Sequence, residues 1–256
     1  MNELKEIIER AYSVFENYTV SKPIDACTIC CVYEEEEKHL LETPVREINI
    51  DALTSYQDAG RGELEGGKLE ETKYFLPRYL ELIANFKYPT HSAELSLTRV
   101  GRFSKENWTK EEWELLNNYM TTFFDYYLSV YPLKDAEKVD SILVMFDTAK
   151  LDVSVLLENW LKNISETSAF HFSEIIVYQE FHNLFSSKEL VEKVTIWMNS
   201  KRVLKSFSDV IENIILSPSK EWQEIIKDNP KYYMNQLNWS YEVIQQRINI
   251  SKPTLS

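Results

Sequence analysis

Apolar residues return every three or four positions along nearly the whole chain, and this spacing limits the possible fold more than any motif does. Leu4, Ile7, Ile8, Ala11, Phe15 and Tyr18 form the first stripe. Val203, Leu204, Phe207, Val210, Ile211 and Ile214 form another, and Tyr233, Leu237, Tyr241, Ile244 and Ile248 a third. Each stripe gives a helix one face to bury. Five glycines and eight prolines in 256 residues are too few for an all-β chain, whose turns would recur about every ten residues. With hydrophobic residues at 44% and aromatics at 13%, the chain carries a core and is not disordered. The expected fold is all-α: an irregular stacked or orthogonal helical bundle of roughly ten to twelve helices, with a solenoid-like stack as a variant. Segments 156–165 and 194–203 share a Trp followed closely by Asn, but neither a tetratricopeptide nor an ankyrin signature is legible. Only the run "TICCVY", residues 28–33, reads as a strand.

Helix boundaries are written in local chemistry. Thr109 and Glu112 have capping-box spacing, with Trp108 and Trp113 as the staple, so a long helix starts there and Pro132 stops it. The same device places a start at Ser186 and Glu189, with Phe185 and Leu190 as staple. Pro218 and Pro230 read as first helical residues. Thr43 precedes Pro44 and should end a short helix, and Pro77 should kink or restart the one around it. Four glycines in residues 60–67 mark a loop. One domain over residues 1–256 is expected. The alternative is a subdivision near 101–107 into a cysteine-bearing part, 1–103, and a helical body, 104–256.

With 28 Lys and Arg against 41 Asp and Glu, the formal charge of −13 disfavours nucleic acid, which needs a cationic footprint. A basic protein partner suits such a surface, and Glu34, Glu35, Glu36 and Glu37 are its densest stretch. The plainer reading makes them the solvated first turn of a helix, complementing its dipole. No stretch reaches eighteen uninterrupted apolar residues, and the first residues carry charges at helical spacing, so the chain reads as cytoplasmic and without a membrane span. Oligomeric state leaves no mark in the sequence.

All three cysteines fall within residues 27–31. Cys27 and Cys30 have the C-x-x-C spacing that chelates zinc, with Cys31 or His39 completing a tetrahedral set, and His91 or a carboxylate as further closing ligands. A redox pair would need a helix N-terminus within alternating strands and helices, and the following glutamates oppose a thiolate. The expectation that wins on residue type alone is three small, polarizable side chains packed beneath helices.

The C-x-x-C, the element "HLLETPVREI" and the element "KYFLPRYLELIA" together resemble an uncharacterised family of bacterial cytoplasmic proteins with a CxxC, LLxTPLRE and YFLPR signature in the N-terminal third. The matching positions are Cys27, Cys30, Thr43, Pro44, Arg46, Glu47, Phe75, Leu76, Pro77 and Arg78. Cys31 after the pair and Val45 in place of leucine depart from the pattern. The resemblance brings no activity with it. Arg46 and Glu47 together with Arg78 are expected to form a structural ion pair joining the two matching elements.

A helix over 169–185 would place His171, Glu174, Tyr178 and His182 on one stripe among apolar residues, as a polar cluster in the core. Read as chemistry, the cluster lacks the second Glu-x-x-His helix of carboxylate-bridged metal bundles. Nucleophile elbow, phosphate-binding glycine loops and the H-E-x-x-H helix are absent from the sequence. No catalytic residue is assigned, and no cofactor is expected unless the cysteines hold zinc. The expected function is therefore non-enzymatic: an acidic surface that captures a basic protein partner, in the manner of an antitoxin or immunity protein. The alternative is a zinc-binding or redox-sensing protein built on Cys27, Cys30 and Cys31.

Overall fold

The computed structural model describes residues 2–59, 68–131 and 137–250. The glycine loop expected at 60–67 and the Pro132 stop lie outside them. The described residues hold twelve α-helices and no strand. These are α1 (Asn2–Val14), α2 (Glu34–Glu42), α3 (Ile50–Asp58), α4 (Leu69–Ala84), α5 (Lys110–Ser129), α6 (Val139–Thr148), α7 (Ser154–Lys162), α8 (Glu166–Ile176), α9 (Lys188–Asn199), α10 (Lys201–Leu216), α11 (Lys220–Ile225) and α12 (Pro230–Ile250). Short 3-10 turns at Val45–Glu47, Ala93–Leu95, Val100–Arg102 and Lys105–Asn107 join some of them. None of the described helices is long and apolar enough to cross a membrane.

Local signals set the ends as read where the signal is self-contained. Thr109 and Glu112 close the capping box at the start of α5: the Thr109 N–H donates to the Glu112 carboxylate at 2.7 Å, and the Glu112 N–H to Thr109 Oγ1 at 3.2 Å. Pro230 is the first residue of α12, behind Asn229. The C-termini of α4 and α6 end in left-handed Phe86 and Lys150, and backbone bonds from Lys87 to Leu82 and from Leu151 to Phe146 close the turns. Pro77 lies inside α4, which runs through it unbroken. Two starts differ by a residue or two from expectation. Ser187, not Ser186, caps α9, and Ser219 caps α11 in place of Pro218 at its first position. In both, the serine hydroxyl nearer the helix takes the N–H three residues on.

The chain divides into two compact units, Met1–Phe123 with Met145–Leu151, and Phe124–Val144 with Asp152–Ser256. The first boundary falls inside α5 and not at 101–107. That segment is held in the first unit: Val100, Gly101 and Trp108 are buried, and Arg99 and Arg102 reach back to Asp25 at 3.0 and 2.7 Å. Glu71 accepts from the Asp25 N–H at 2.8 Å and from Tyr56 Oη at 2.7 Å. Buried Lys73 pairs with Glu112 at 2.8 Å, so the cap of α5 also anchors α4. In the second unit α8, α10 and α12 pack on one another. This mutual triplet is bundle packing, in contrast to the nearest-neighbour contacts of a solenoid.

Candidate functional site

The three thiols stand on a turn whose two feet are fixed and whose middle is pushed outward. Ile24, Ala26 and Val32 are buried in a core with Leu40, Ile48, Leu53, Tyr56 and Phe75, and the salt bridges from Arg99 and Arg102 hold Asp25 beside them. Between the feet, the Cys27 carbonyl accepts the N–H groups of both Cys31 and Val32, at 3.3 and 3.0 Å. The run expected as a strand is thus a tight turn, and Ile29 at its tip is 93% exposed. Small, apolar Ala26 and Val32 take the core positions, so Cys27 and Cys30 are not packed into this core as expected, while Cys31 packs against its edge. Cys30 is exposed, Cys27 and Cys31 are half-buried, and all three are free.

This geometry gathers the sulfurs. Cys30 Sγ lies 3.2 Å from Cys27 Sγ and 3.2 Å from Cys31 Sγ, and the three lie within 4.8 Å of one another. The hydrogen bond from Cys30 first, then the backbone N–H groups of Ile29 and Cys30, draw the Cys27 thiol down to about 7. Cys30, hydrogen-bonded to Cys27 and set beside both other sulfurs, is pushed up to about 12. The turn therefore carries one thiolate readily near neutral pH, stabilised by its neighbours' protons.

His39 does not close this set. Its Nδ1 lies 3.0 Å from Thr43 Oγ1, and its Nε2 faces the Asn49 N–H at 3.2 Å and the Asn49 side-chain amide at 3.1 Å. His91, the second candidate, is paired with Asp58 at 3.1 Å. Among the described residues, the only such cluster of potential metal ligands is Cys27, Cys30 and Cys31. Zinc bonded to thiolates at about 2.3 Å spaces them roughly 3.8 Å apart in a tetrahedron, which the turn can match on three corners only.

The acidic stretch is split in its duties. Glu34 and Glu35 are exposed, Glu36 accepts from Tyr33 N–H and Ser55 Oγ, and Glu37 is buried and paired with Lys22 at 2.8 Å. The expected ion pair of Arg46, Glu47 and Arg78 does not form. Arg46 donates to Glu9 at 2.9 Å and covers the Tyr12 ring, Arg78 pairs with Glu81 at 2.6 Å, and exposed Glu47 joins no ion pair among the described residues. The two matching elements are nevertheless joined, because Arg78 Nε donates to the Ile48 carbonyl at 3.0 Å. A neutral acceptor at the end of the 3-10 turn takes the role that sequence reading gave to a carboxylate.

In the second unit α8 ends at Ile176, not near 185. The Phe181 N–H is taken by Thr195 Oγ1 at 3.0 Å and the Tyr178 carbonyl by Arg247 at 2.6 Å, so residues 177–187 leave the helix. His171 alone of the four polar residues is deeply buried; Glu174 is partly covered, while Tyr178 and His182 are exposed. They still come together. Glu174, Tyr178 and His182 line one cavity of about 160 Å³, joined by Lys138 and Asp140 from the start of α6. Sequence reading missed those two because nothing in the local spacing links residue 140 to residue 174. It missed the Asp25, Arg99 and Arg102 cluster for the same reason. Comparison of the chain with protein-family models, with curated proteins and with solved structures gives no match.

Proposed function

We propose that this protein acts through its thiol turn, as a binder of thiophilic metal ions. The observation that carries this reading is the meeting of three free sulfurs within 4.8 Å on a turn with buried feet, where Cys27 titrates near 7. Clustered thiolates favour soft ions such as Cu(I) and Zn(II) over hard ones. Three sulfur ligands without an imidazole favour Cu(I) of the two, because a closed zinc site takes four protein ligands. The anchored feet reduce the ordering cost of binding, since the turn already holds the sulfurs close. Capture of a basic partner by an acidic surface keeps the charge of −13 and exposed Glu34 and Glu35 in its support, with Glu36 and Glu37 committed internally.

The test is competition between the reduced protein and a chromophoric chelator for Cu(I) and for Zn(II). One equivalent of Cu(I) should be held, with affinity falling by at least about tenfold in Cys27→Ser and in Cys30→Ser. His39→Ala should bind as the parent does, because its imidazole serves Thr43 and Asn49. Failure to hold stoichiometric metal, or undiminished binding in both serine variants, overturns the reading. A second reading is favoured by the 3.2 Å separation of Cys27 and Cys30. In it hydrogen peroxide oxidises the pair to a disulfide, two thiols giving up two protons and two electrons while the peroxide is reduced to two waters. An intact mass lower by two hydrogens after peroxide, unchanged in Cys30→Ser, identifies that chemistry.

A further inference from the structure

The cavity of the second unit is built from both signs of charge, and a buried histidine stands next to one of its carboxylates. His171 is 1% exposed. Its Nε2 lies 3.2 Å from the Val130 carbonyl, which can only accept, so Nε2 donates there. Nδ1 has no hydrogen-bond partner among the described residues, and Glu174 Oε2 lies 3.7 Å from it, too far for a hydrogen bond. The Glu174 carboxylate forms part of the cavity wall. A carboxylate in a cavity wall gains most from a bound cationic donor. The C-terminal end of α8 lies at the same wall, through Glu174 and Ile175, and its carbonyls favour positive charge there.

The other side of the cavity carries both signs. Lys138 and Asp140 flank the first residue of α6, Val139, so a lysine ammonium and the positive end of a helix dipole border the space together with the Asp140 carboxylate, which is already held by Asn183. His182 adds an imidazole, and Tyr178 and Phe181 supply aromatic surface. The volume of about 160 Å³ is below that of drug-sized sites, which run from about 300 Å³ upward. The walls are held in place: Arg247 grips the Tyr178 carbonyl, Thr195 the Phe181 N–H, and Asn183 donates to Asp140 at 3.0 Å.

From this we propose that the cavity binds a small zwitterion of amino-acid type, its ammonium group on Glu174 and its carboxylate towards Lys138, with an apolar side chain against Tyr178 and Phe181. Neither charge alone suits the site, because an amine offers Lys138 no counter-charge and an acid faces Glu174. This site shares no residue with the thiol turn, and the proposal stands whether or not metal binds there.

Calorimetric titration with three probes of one skeleton tests it: L-leucine, isopentylamine and 4-methylpentanoate. Leucine should bind at least about tenfold more tightly than either half-ligand, the equivalent of about 1.4 kcal/mol. Glu174→Gln should weaken leucine and isopentylamine by about tenfold and leave 4-methylpentanoate unchanged or improved, while Lys138→Ala should do the reverse. These opposite patterns separate a lost contact from a damaged fold, which would weaken all three together. The proposal is overturned if isopentylamine binds as tightly as leucine, if both variants weaken every probe equally, or if no probe gives heat or shifts the His171 ring resonances at about 10 mM.

Discussion

Cys27 is the residue on which the chemistry turns, and its acidity comes from two kinds of neighbour. The Cys30 thiol gives the largest effect, the backbone N–H groups of Ile29 and Cys30 come next, and the Cys31 thiol adds a smaller one. Below about 7 the group is chiefly thiol, and above it chiefly thiolate, so its reaction with iodoacetamide should rise with pH to half its maximum near 7. An ordinary cysteine does so at about 8.5. Cys30→Ala removes the largest contribution and should move that midpoint upward, towards the ordinary value. Mass-resolved alkylation across a pH series reads it, and an unmoved midpoint would mean the backbone bonds alone set the acidity. None of this was legible from the motif. C-x-x-C spacing announces that two thiols can meet, while their exposure depends on Ala26 and Val32 having taken the core positions on either side.

At the scale of elements, the Val100–Arg102 turn and the end of α6 meet at a joint that only a glycine fits. A Cβ built on Gly101 would stand 1.8 Å from the Thr148 carbonyl oxygen. That oxygen belongs to the backbone, so it cannot swing aside as a side chain would. Gly101→Ala should therefore destabilise by about 3 kcal/mol, the upper end for overpacking, because the turn must separate from α6. Denaturant unfolding measures this, and a change under about 0.5 kcal/mol would show that the joint yields. Element ends were legible where a signal closes on itself within four residues, as at Thr109 and Glu112 or at Pro230. They were misread where a distant group intervenes. The helical spacing of 169–185 continues past Ile176, but Thr195 and Arg247 claim backbone groups beyond it and the helix stops.

For the whole molecule, the governing quantity is charge. A net −13 repels itself in the folded state more than in the expanded one, and most of the exposed ion pairs are of the kind that contributes little. The buried pairs are screened much less: Lys73 with Glu112, and Asp25 with Arg99, sit out of water. Burial works against the charged form of Glu112, yet Lys73, Tyr18 and the Thr109 N–H outweigh it and hold that carboxyl below its usual range. Its stabilising effect is thus present above the ordinary carboxylate pKa and lost as pH falls through the lowered one. At neutral pH, raising salt from about 0.01 M to about 1 M shortens the screening length from about 30 Å to about 3 Å. The unfolding midpoint should then rise by several degrees, and scanning calorimetry at fixed pH would detect it. A falling midpoint would mean that attractive surface pairs outweigh the repulsion. By itself the sequence determined that the chain is helical, where helices such as α5 and α12 begin, and that its net charge is strongly negative. These follow from a period of three to four residues, from caps that reach three residues, and from a sum of charges. Tertiary structure alone decided which groups face outward and which meet: three thiols rather than two thiols and a histidine, Asp25 with an arginine 74 residues away, and Asp140 in one cavity with Glu174. Helical spacing is a property of neighbours along the chain, whereas a site is made by contacts between residues far apart in it, and those are chosen by how buried faces fit.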